Sequence, residues 1–281
     1  MRIATPAMPE PWTGNWPVHV SDNKENDIWE NPEWMLLSYG KKMTASSYTE
    51  GKSPELACNE NVQNWWQASS SDRKEWLMMD LGKAMDVHAI QINFADDEIN
   101  IPVPGQIRGT TQARYIEEAD IATQYLLEGS VDGENFFVLE DKTKADTDLS
   151  HDFLVYENGI EVRYIRLSDM KVPYGQKPCV SGLRVFGKGK GSLPEQVSYE
   201  VERISGIDME IVIDSQEKDE ADGTTGYNIL WGLKPDKLYH SYLTYDTKKR
   251  IGALVDGESY YVRVDTFNEN GITEGTVRPL A

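Results

Sequence analysis

The sequence predicts an all-β protein built from two sandwiches. Short segments alternate apolar and polar residues with a period of two, as in EWLMMDLGK at residues 75–83, and turn-forming residues separate them. A Gly/Lys/Pro-rich stretch, GKGKGSLPEQ at residues 187–196, divides a longer part from a shorter one. The length of 281 residues is typical of two domains. We therefore expect a larger sandwich over residues 37–190 and a smaller, immunoglobulin-like sandwich over residues 191–281.

Residues 1–36 differ from the rest of the chain. They are rich in Pro, Trp, Asn and Asp and show no sustained periodicity, which indicates an irregular segment rather than a domain. Large exposed aromatic surface is unfavourable in water, so we expect the tryptophans here to pack against other residues. They are Trp12, Trp16, Trp29 and Trp34.

The first strands of the larger part follow from their alternation. Residues 75–83 form one strand, which Gly82 is expected to end, and VHAIQINFA at residues 87–95 forms the next. Each segment places its apolar residues on one face. The predicted inward-facing residues are Leu77, Met79, Leu81, Ile90, Ile92 and Phe94.

Later strands follow the same pattern. QYLLEGSVDGENFFVLE at residues 124–140 reads as two strands around an Asp-Gly turn, and VRYIRLSDM (162–170) and VSGLRVFG (180–187) are further strands. Beyond residue 196, alternating segments recur at the spacing of a small sandwich. These are DMEIVID, GYNILWGL, LYHSYLTYD, KKRIGALVDG and ESYYVRVDTFNENG.

Composition excludes several classes of partner. The formal net charge of −19 disfavours nucleic acid and anionic membranes, and no apolar run is long enough to span a bilayer. The two cysteines do not make a disulfide-rich scaffold and match no zinc spacing. The opening MRIATPAMPEPW lacks the pattern of a signal peptide. The chain is therefore either cytoplasmic or a piece whose export signal lies elsewhere.

The sequence contains no pattern that predicts catalysis. With 47 acidic residues, carboxylate pairs arise by chance, and the sequence does not reveal a glycosidase-like separation between two of them. The four histidines lie far apart and lack metal-ligand spacing: His19, His88, His151 and His240. We expect no enzyme within these residues.

The aromatic cluster in NENVQNWWQASSSDRKEWLMMDLGK (59–83) has two interpretations. Trp66 and Trp76 are expected in the core, because large aromatics supply much of a small sandwich's buried area. Trp65 is open between core and surface, since it alternates with Trp66.

A sugar-binding surface needs an aromatic ring for the apolar face of a pyranose and polar groups for its hydroxyls. The long insertion at residues 95–120 is the expected source of these groups, although it could instead be a solvated or docked loop. The candidate carbohydrate-binding residues are Trp65, Asp96, Asp97, Arg108, Arg114 and Tyr115.

Residues 37–190 resemble the discoidin, or coagulation factor type C, fold and its sugar-binding relatives in carbohydrate-binding module family 32. The residues that carry the resemblance occur in the family's order: KKMTASS (41–47), ACNENVQNWWQAS (57–69), EWLMMDLGK (75–83), QYLLEGSVDGENF (124–136), RYIRL (163–167) and SGLRVFG (181–187). The resemblance implies a jelly-roll sandwich that binds polysaccharide or oligosaccharide through loops at one end.

The same resemblance implies a calcium loop. Its candidate ligands here are Ala57, Asn59, Glu60 and Asn64. Calcium prefers several anionic oxygens, yet Asn59-Glu60 stands where Asp-Gly is usual and Gly182 where a Glu would fall. Two expected carboxylates are thus missing. The sequence leaves open whether this loop binds calcium, and it indicates no other cofactor. The resemblance also brings Cys58 and Cys179 to the same region.

Residues 191–281 look like a fibronectin type III domain. LVDGESYYVRV has the family's tyrosine-corner spacing of Leu254, Tyr260, Val262 and Val264. The early core tryptophan is absent, and DMEIVID offers Ile211 and Ile213 instead.

Together with residues 1–36, the two parts resemble the C-terminal accessory region of secreted bacterial polysaccharide-degrading enzymes, with glycoside hydrolase family 43 as the nearest parent. This implies a non-catalytic, secreted, periplasmic or cell-surface region that holds an upstream catalytic domain near its glycan, with residues 1–36 as that domain's tail. The alternatives are a structural spacer or protein-interaction module, and a part of a glycosidase that carries the parent's activity.

Overall fold

The computed structural model describes residues 19–20, 34–97, 121–214 and 223–280. It confirms the all-β class: antiparallel strands predominate, and the only helical elements described are the short 3-10 turns Pro54–Cys58 and Pro173–Gly175. The chain divides into two compact units. The first runs from Leu37 to Val185, and the second contains Phe186–Ala281 with the described residues that precede Leu37.

Nine strands form the first sheet. They are β1 (His19–Val20), β2 (Trp34–Leu36), β3 (Lys42–Ala45), β4 (Trp66–Gln67), β5 (Leu77–Phe94), β6 (Gln124–Ser130), β7 (Phe137–Asp141), β8 (His151–Lys171) and β9 (Cys179–Lys188). The strand order is β1-β2-β9-β5-β8-β6-β7, with β3 paired to β5 and β4 paired to β9. β5 therefore lies at the centre of the sheet.

The inward-facing residues predicted for β5 are confirmed. Leu77, Met79 and Leu81 are fully buried, as are Ile90 and Ile92, while Phe94 is 8% exposed. Burial alternates along the first half of the strand because successive side chains point to opposite faces of a sheet.

Gly82 does not end the strand, contrary to the expectation from the sequence. β5 continues to Phe94, and Gly82 lies at a break in its register with β8, between Asp80 and Met85. Its φ of +86° is a conformation that a residue without a Cβ adopts at low cost. The glycine therefore permits a bulge, after which pairing resumes.

The tryptophans of the aromatic cluster have different environments. Trp66 is fully buried, as predicted, and its indole N–H donates to the carbonyl oxygen of Ser47 at 3.0 Å. The prediction that Trp76 lies in the core was wrong, because it is only partly buried. Trp76 directly precedes the buried Leu77, so alternation directs its side chain to the opposite face. Trp34 is partly buried, and Trp12, Trp16 and Trp29 lie outside the described residues.

The second unit contains two smaller sheets. Its strands are β10 (Tyr199–Arg203), β11 (Met209–Ile213), β12 (Gly226–Gly232), β13 (His240–Thr244), β14 (Lys248–Ile251), β15 (Tyr261–Asn268), β16 (Gly271–Thr273) and β17 (Arg278–Pro279). One sheet has the order β10-β11-β14, and the other has the order β13-β12-β15-β16 with β17 paired to β15.

The core of the second unit contains a tryptophan that the sequence analysis did not identify. Trp231 on β12 is 7% exposed and packs among the residues of both sheets, including Ile211 and Ile213. Tyr260 is also buried, and its hydroxyl accepts a hydrogen bond from the backbone N–H of Val255 at 3.1 Å. This bond closes the turn that leads into β15.

The Gly/Lys/Pro-rich stretch is part of the second unit, and hydrogen bonds join it to residues 269–273 of that unit. The bonds of 2.5–2.9 Å are Gly189 N to Glu269 O, Gly191 N to Asn270 Oδ1, Asn270 Nδ2 to Ser192 O and Thr273 Oγ1 to Pro194 O. Composition indicated a linker, but composition does not encode partners that lie about eighty residues away in the sequence.

We predict that Tyr260→Phe lowers the free energy of unfolding of the second unit by about 1 kcal/mol, because the backbone N–H of Val255 loses its acceptor. Urea unfolding measures the change. Tyr261→Phe, at the next residue, is the control and should change stability by less than about 0.5 kcal/mol. Equal effects of the two substitutions would contradict the role given to the corner bond.

Candidate functional site

Four segments of the first unit meet at one end of its sheet. They are residues 46–52, 65–69, 95–97 and 172–178. Backbone hydrogen bonds of 2.9–3.0 Å join them: Thr49 N to Gln67 O, Ala68 N to Pro178 O and Ala95 N to Cys179 O. Side chains from distant parts of the sequence therefore face a common region.

A compact group of side chains, the Trp65 cluster, lies in this region and consists of Lys52, Trp65, Gln67 and Asp97. Asp97 Oδ2 accepts hydrogen bonds from Trp65 Nε1 and from Gln67 Nε2, both at 3.1 Å. Lys52 Nζ lies 3.4 Å from the same oxygen and 3.7 Å from the centre of the Trp65 ring. The carboxylate thus fixes the indole edge, and the ammonium occupies one ring face by a cation–π contact.

The local chain explains why Trp65 reaches this position. Trp66 and Gln67 form β4 and pair with Val180 and Cys179 of β9, with Trp66 directed into the core. Trp65 precedes this short strand and is partly buried. Alternation therefore gives Trp65 and Gln67 a common side, opposite to Trp66, from which both reach Asp97.

The structure brings together two of the predicted carbohydrate-binding residues. Trp65 and Asp97 are directly hydrogen-bonded, and Asp96 is exposed beside Asp97. The other predicted residues, Arg108, Arg114 and Tyr115, lie outside the described residues.

Sequence reasoning missed Lys52 and Gln67. Gln67 could have been found, because it follows Trp65 by two residues in an extended segment. No sequence signal connects Lys52 with Asp97, since 45 positions separate them and only the meeting of the loops makes them neighbours.

The side chains of the candidate calcium loop do not fit a calcium ion. Asn59 Oδ1 accepts from the Asn61 backbone N–H at 2.9 Å, and Asn64 Oδ1 accepts from Asn59 Nδ2 at 3.0 Å. Glu60 is paired with Arg184 at 2.9 Å, and Ala57 offers only its backbone. Calcium needs six to eight oxygens, whereas the side-chain oxygens here are engaged within the protein. Among the described residues, no group of three or more His, Cys, Asp or Glu is placed to hold a metal.

The two cysteines are buried and free. Cys58 Sγ lies 3.4 Å from the carbonyl oxygen of Lys41, and Cys179 Sγ lies 3.4 Å from Gln67 Nε2 beneath the Trp65 cluster. Burial raises the pKa of each thiol to about 11. Both thiols are therefore protonated at neutral pH and are poor nucleophiles.

A buried carboxylate braces the loops next to the Trp65 cluster. Glu75 accepts hydrogen bonds from the hydroxyls of Ser46, Ser47 and Ser70, the last two at 2.7 Å. Burial opposes ionisation, but these hydrogen bonds outweigh it and hold the pKa of Glu75 below its ordinary value of 4.5. Glu75 is thus a charged structural group rather than a proton donor.

Part of the first unit matches a known family model. The family model described as F5/8 type C domain matches residues 42–103, a segment that contains the whole Trp65 cluster. A search of curated proteins found no match. In the described part of the chain, no helix has the length and hydrophobicity that crossing a membrane requires.

Several solved structures are similar to part of the chain. Chitosan-binding module 1 of a chitosanase/glucanase from Paenibacillus sp. IK-5 has 18% identity and a TM-score of 0.41, over 54% of this chain and 98% of that one. The family 32 module of NanJ from C. perfringens, solved in complex with galactose, has 16% identity and a TM-score of 0.40, over 54% of this chain and 98% of that module. A family 89 glycoside hydrolase from Clostridium perfringens has 23% identity and a TM-score of 0.42, over 56% of this chain and 15% of the enzyme. The family match over residues 42–103 confirms the discoidin resemblance for that segment of the first unit.

We predict that Glu75→Gln lowers the stability of the first unit at pH 7 by roughly 2–3 kcal/mol, because the hydrogen bonds to a charged acceptor are weakened. Since the folded-state pKa lies below the ordinary 4.5, this contribution is complete above about pH 4.5 and is lost as the pH falls through the folded-state value.

Urea unfolding at pH 7 and at successively lower pH tests this prediction. The difference between the unmodified chain and Glu75→Gln should be largest at neutral pH and should narrow on acidification. Glu55→Gln, at an exposed carboxylate, is the control and should leave the profile nearly unchanged. A difference that is independent of pH would contradict the assignment.

Proposed function

We propose that the first unit is a non-catalytic glycan-binding module that holds a polysaccharide-degrading enzyme near its substrate. The observation that carries the proposal is the Trp65 cluster, in which an indole and three polar side chains are held together at the loop end of the unit. Its position within the segment that matches the F5/8 type C domain supports the proposal.

The cluster has the chemistry that a sugar requires. The ring of Trp65 offers an apolar surface for the C–H face of a pyranose on the side away from Lys52. Asp96, which is exposed, offers acceptors for hydroxyl groups, and the partly exposed ammonium of Lys52 offers donors. Because Asp97 already fixes the indole, binding costs little side-chain entropy at this position.

Charge favours a neutral or cationic glycan. Asp96 and Asp97 outnumber the single ammonium of Lys52 in this region, and the whole chain carries −19. A polyanionic glycan would be repelled during approach, whereas amino sugars would be attracted. Among the similar solved structures, a chitosan-binding module is in complex with chitotriose and a family 32 module is in complex with galactose, so oligosaccharides of glucosamine and galactose are suitable first probes.

The expected affinity is weak. One aromatic contact and a few hydrogen bonds on an open surface give a binding free energy of about −4 to −6 kcal/mol, which is millimolar to tens-of-micromolar. Such affinity is useful when an attached enzyme benefits from the raised local concentration of its substrate. A family 43-like parent enzyme and a secreted, periplasmic or cell-surface location remain proposals that rest on the resemblance.

For the second unit we propose a fibronectin type III-like spacer. Sheets of the order β10-β11-β14 and β13-β12-β15-β16, together with the Tyr260 corner, support this assignment. The alternative for the whole chain is a spacer or protein-interaction module without glycan binding. The second alternative is that the chain is part of a family 43-like glycoside hydrolase and carries the parent's glycosidase activity.

We predict that Trp65→Ala lowers the affinity for a chitosan or galactan oligosaccharide at least about tenfold, because stacking on an aromatic ring is lost. Titration calorimetry and retention on the insoluble polysaccharide measure the change. Tyr242→Ala is the matched control, since Lys249 covers the Tyr242 ring at 4.7 Å in the second unit, much as Lys52 covers Trp65.

The control variant should retain full affinity, and both variants should remain folded. Equal loss in both variants, or no loss in Trp65→Ala, would move the site away from Trp65. Absence of binding by the unmodified chain to neutral, cationic and acidic glycans would favour the spacer alternative.

The insertion provides a second, independent prediction. Replacing Arg108, Arg114 and Tyr115 together by Ala should abolish retention on the polysaccharide, because the planar guanidinium of Arg matches paired sugar hydroxyls and Tyr stacks on the pyranose ring. The melting temperature should remain nearly unchanged. Retention equal to that of the unmodified chain would limit the site to the Trp65 cluster.

A further inference from the structure

The loop that leads into Trp65 contains a residue in an unusual conformation. Glu60 has a φ of +58°, in the left-handed region that non-glycine residues adopt at a cost. The discoidin resemblance places a glycine at this position. The chain thus introduces a carboxylate where the backbone favours glycine, and a compensating interaction is expected.

Arg184 of β9 supplies that interaction. Its Nε lies 3.0 Å from Glu60 Oε1 and 3.1 Å from Oε2, and its Nη2 lies 2.9 Å from Oε2. The two side chains are only 10% and 19% exposed, so water screens the pair weakly. Arg184 Nη1 also donates to Gln91 Oε1 of β5 at 3.0 Å. The guanidinium therefore connects the loop to two central strands of the sheet.

Gly182, two residues before Arg184 on β9, has no space for a side chain that carries an additional carboxylate. A Cβ atom at Gly182 would lie 2.8 Å from Asn93 Nδ2, closer than real Cβ contacts. Asn93 is buried and held in place, because its Oδ1 accepts a hydrogen bond from Gln91 at 3.2 Å and lies 3.1 Å from His151 Nδ1. The glutamate that the resemblance leads one to expect at Gly182 has no room.

We propose that the Glu60–Arg184 ion pair is an internal clamp that takes the place of a calcium ion in this loop and fixes the position of Trp65 without metal. A guanidinium supplies a permanent positive charge and directed N–H donors, which match the two oxygens of a carboxylate. The clamp makes the loop independent of calcium concentration.

The first arm of the test uses the metal alone. The melting temperature of the unmodified chain should be the same in millimolar calcium chloride and in excess EDTA. A rise in melting temperature with calcium that EDTA reverses would overturn the proposal.

The second arm is a double-mutant cycle. Arg184→Met should lower the melting temperature of the first unit by roughly 6–20 °C, because it leaves Glu60 unpaired in a partly buried site. Glu60→Gly suits the left-handed backbone, yet it should also destabilise, because Arg184 loses its carboxylate partner. The double variant should be less destabilised than the sum of the two single changes, and strict additivity would refute the clamp.

A matched control separates the clamp from ordinary ion pairing. Arg163 makes a two-pronged pair with Asp80 at 2.8 and 3.0 Å on the surface of the same unit, where Arg163 is 37% exposed. Arg163→Met should therefore lower the melting temperature much less than Arg184→Met. Equal shifts would contradict the special role of the buried pair.

The third arm concerns the position of Trp65 and rests on the proposed glycan binding. At a temperature where every variant is folded, Arg184→Met should weaken oligosaccharide binding several-fold, Arg163→Met should leave it unchanged, and the double variant should recover part of it. If the unmodified chain binds the oligosaccharide and Arg184→Met binds it with the same affinity, the ion pair does not position Trp65. If the unmodified chain binds no glycan, the proposed function fails, whereas the calcium and double-mutant arms still decide the clamp.

Discussion

The antiparallel pairing of β5 with β8 is the interaction on which the first unit depends. It extends from Leu77 opposite Leu167 to Asn93 opposite His151, with breaks in register between Asp80 and Met85 and between Val87 and Ala89. Because β5 lies between β8 and β9, its backbone groups are satisfied from both sides, and its alternating side chains supply much of the core. Each bulge lets the paired strands bend without losing this core.

The position of the candidate site follows from the length of this strand. β5 ends at Phe94, and Asp97 lies three residues beyond, at the end of the sheet where β4 and the start of β9 also pair. The short β4 directs Trp66 into the core and leaves Trp65 to meet Asp97. The sheet therefore acts as a rigid support, and the loops carry the groups that can contact a ligand.

Polar contacts connect these loops to one another and to the sheet. Glu75 accepts hydrogen bonds from three serine hydroxyls, and Asp97 accepts them from Trp65 and Gln67. Arg184 forms an ion pair with Glu60. A polar group that loses water must find a partner within the protein, or burial becomes costly. Each of these interactions therefore selects one loop conformation among many, which a nonpolar contact would do less specifically.

The sequence by itself determined the class of the fold and which side chains of individual strands point into the core. Period-two alternation is a local property, so it was enough to place Leu77, Met79 and Leu81 inside, and the fully buried Trp66 is likewise a property of one short strand. The same alternation should have excluded Trp76 from the core, because it adjoins the buried Leu77.

Only the tertiary structure decided which distant groups meet. Lys52 contacts Asp97, Glu60 contacts Arg184 from 124 positions away, and the glycine-rich stretch bonds to residues near Asn270. These contacts depend on strand order, register and loop closure, which are properties of the whole chain rather than of any short segment. Sequence patterns report which side of a strand a residue faces, whereas its partner is set by the strand or loop that the fold places beside it.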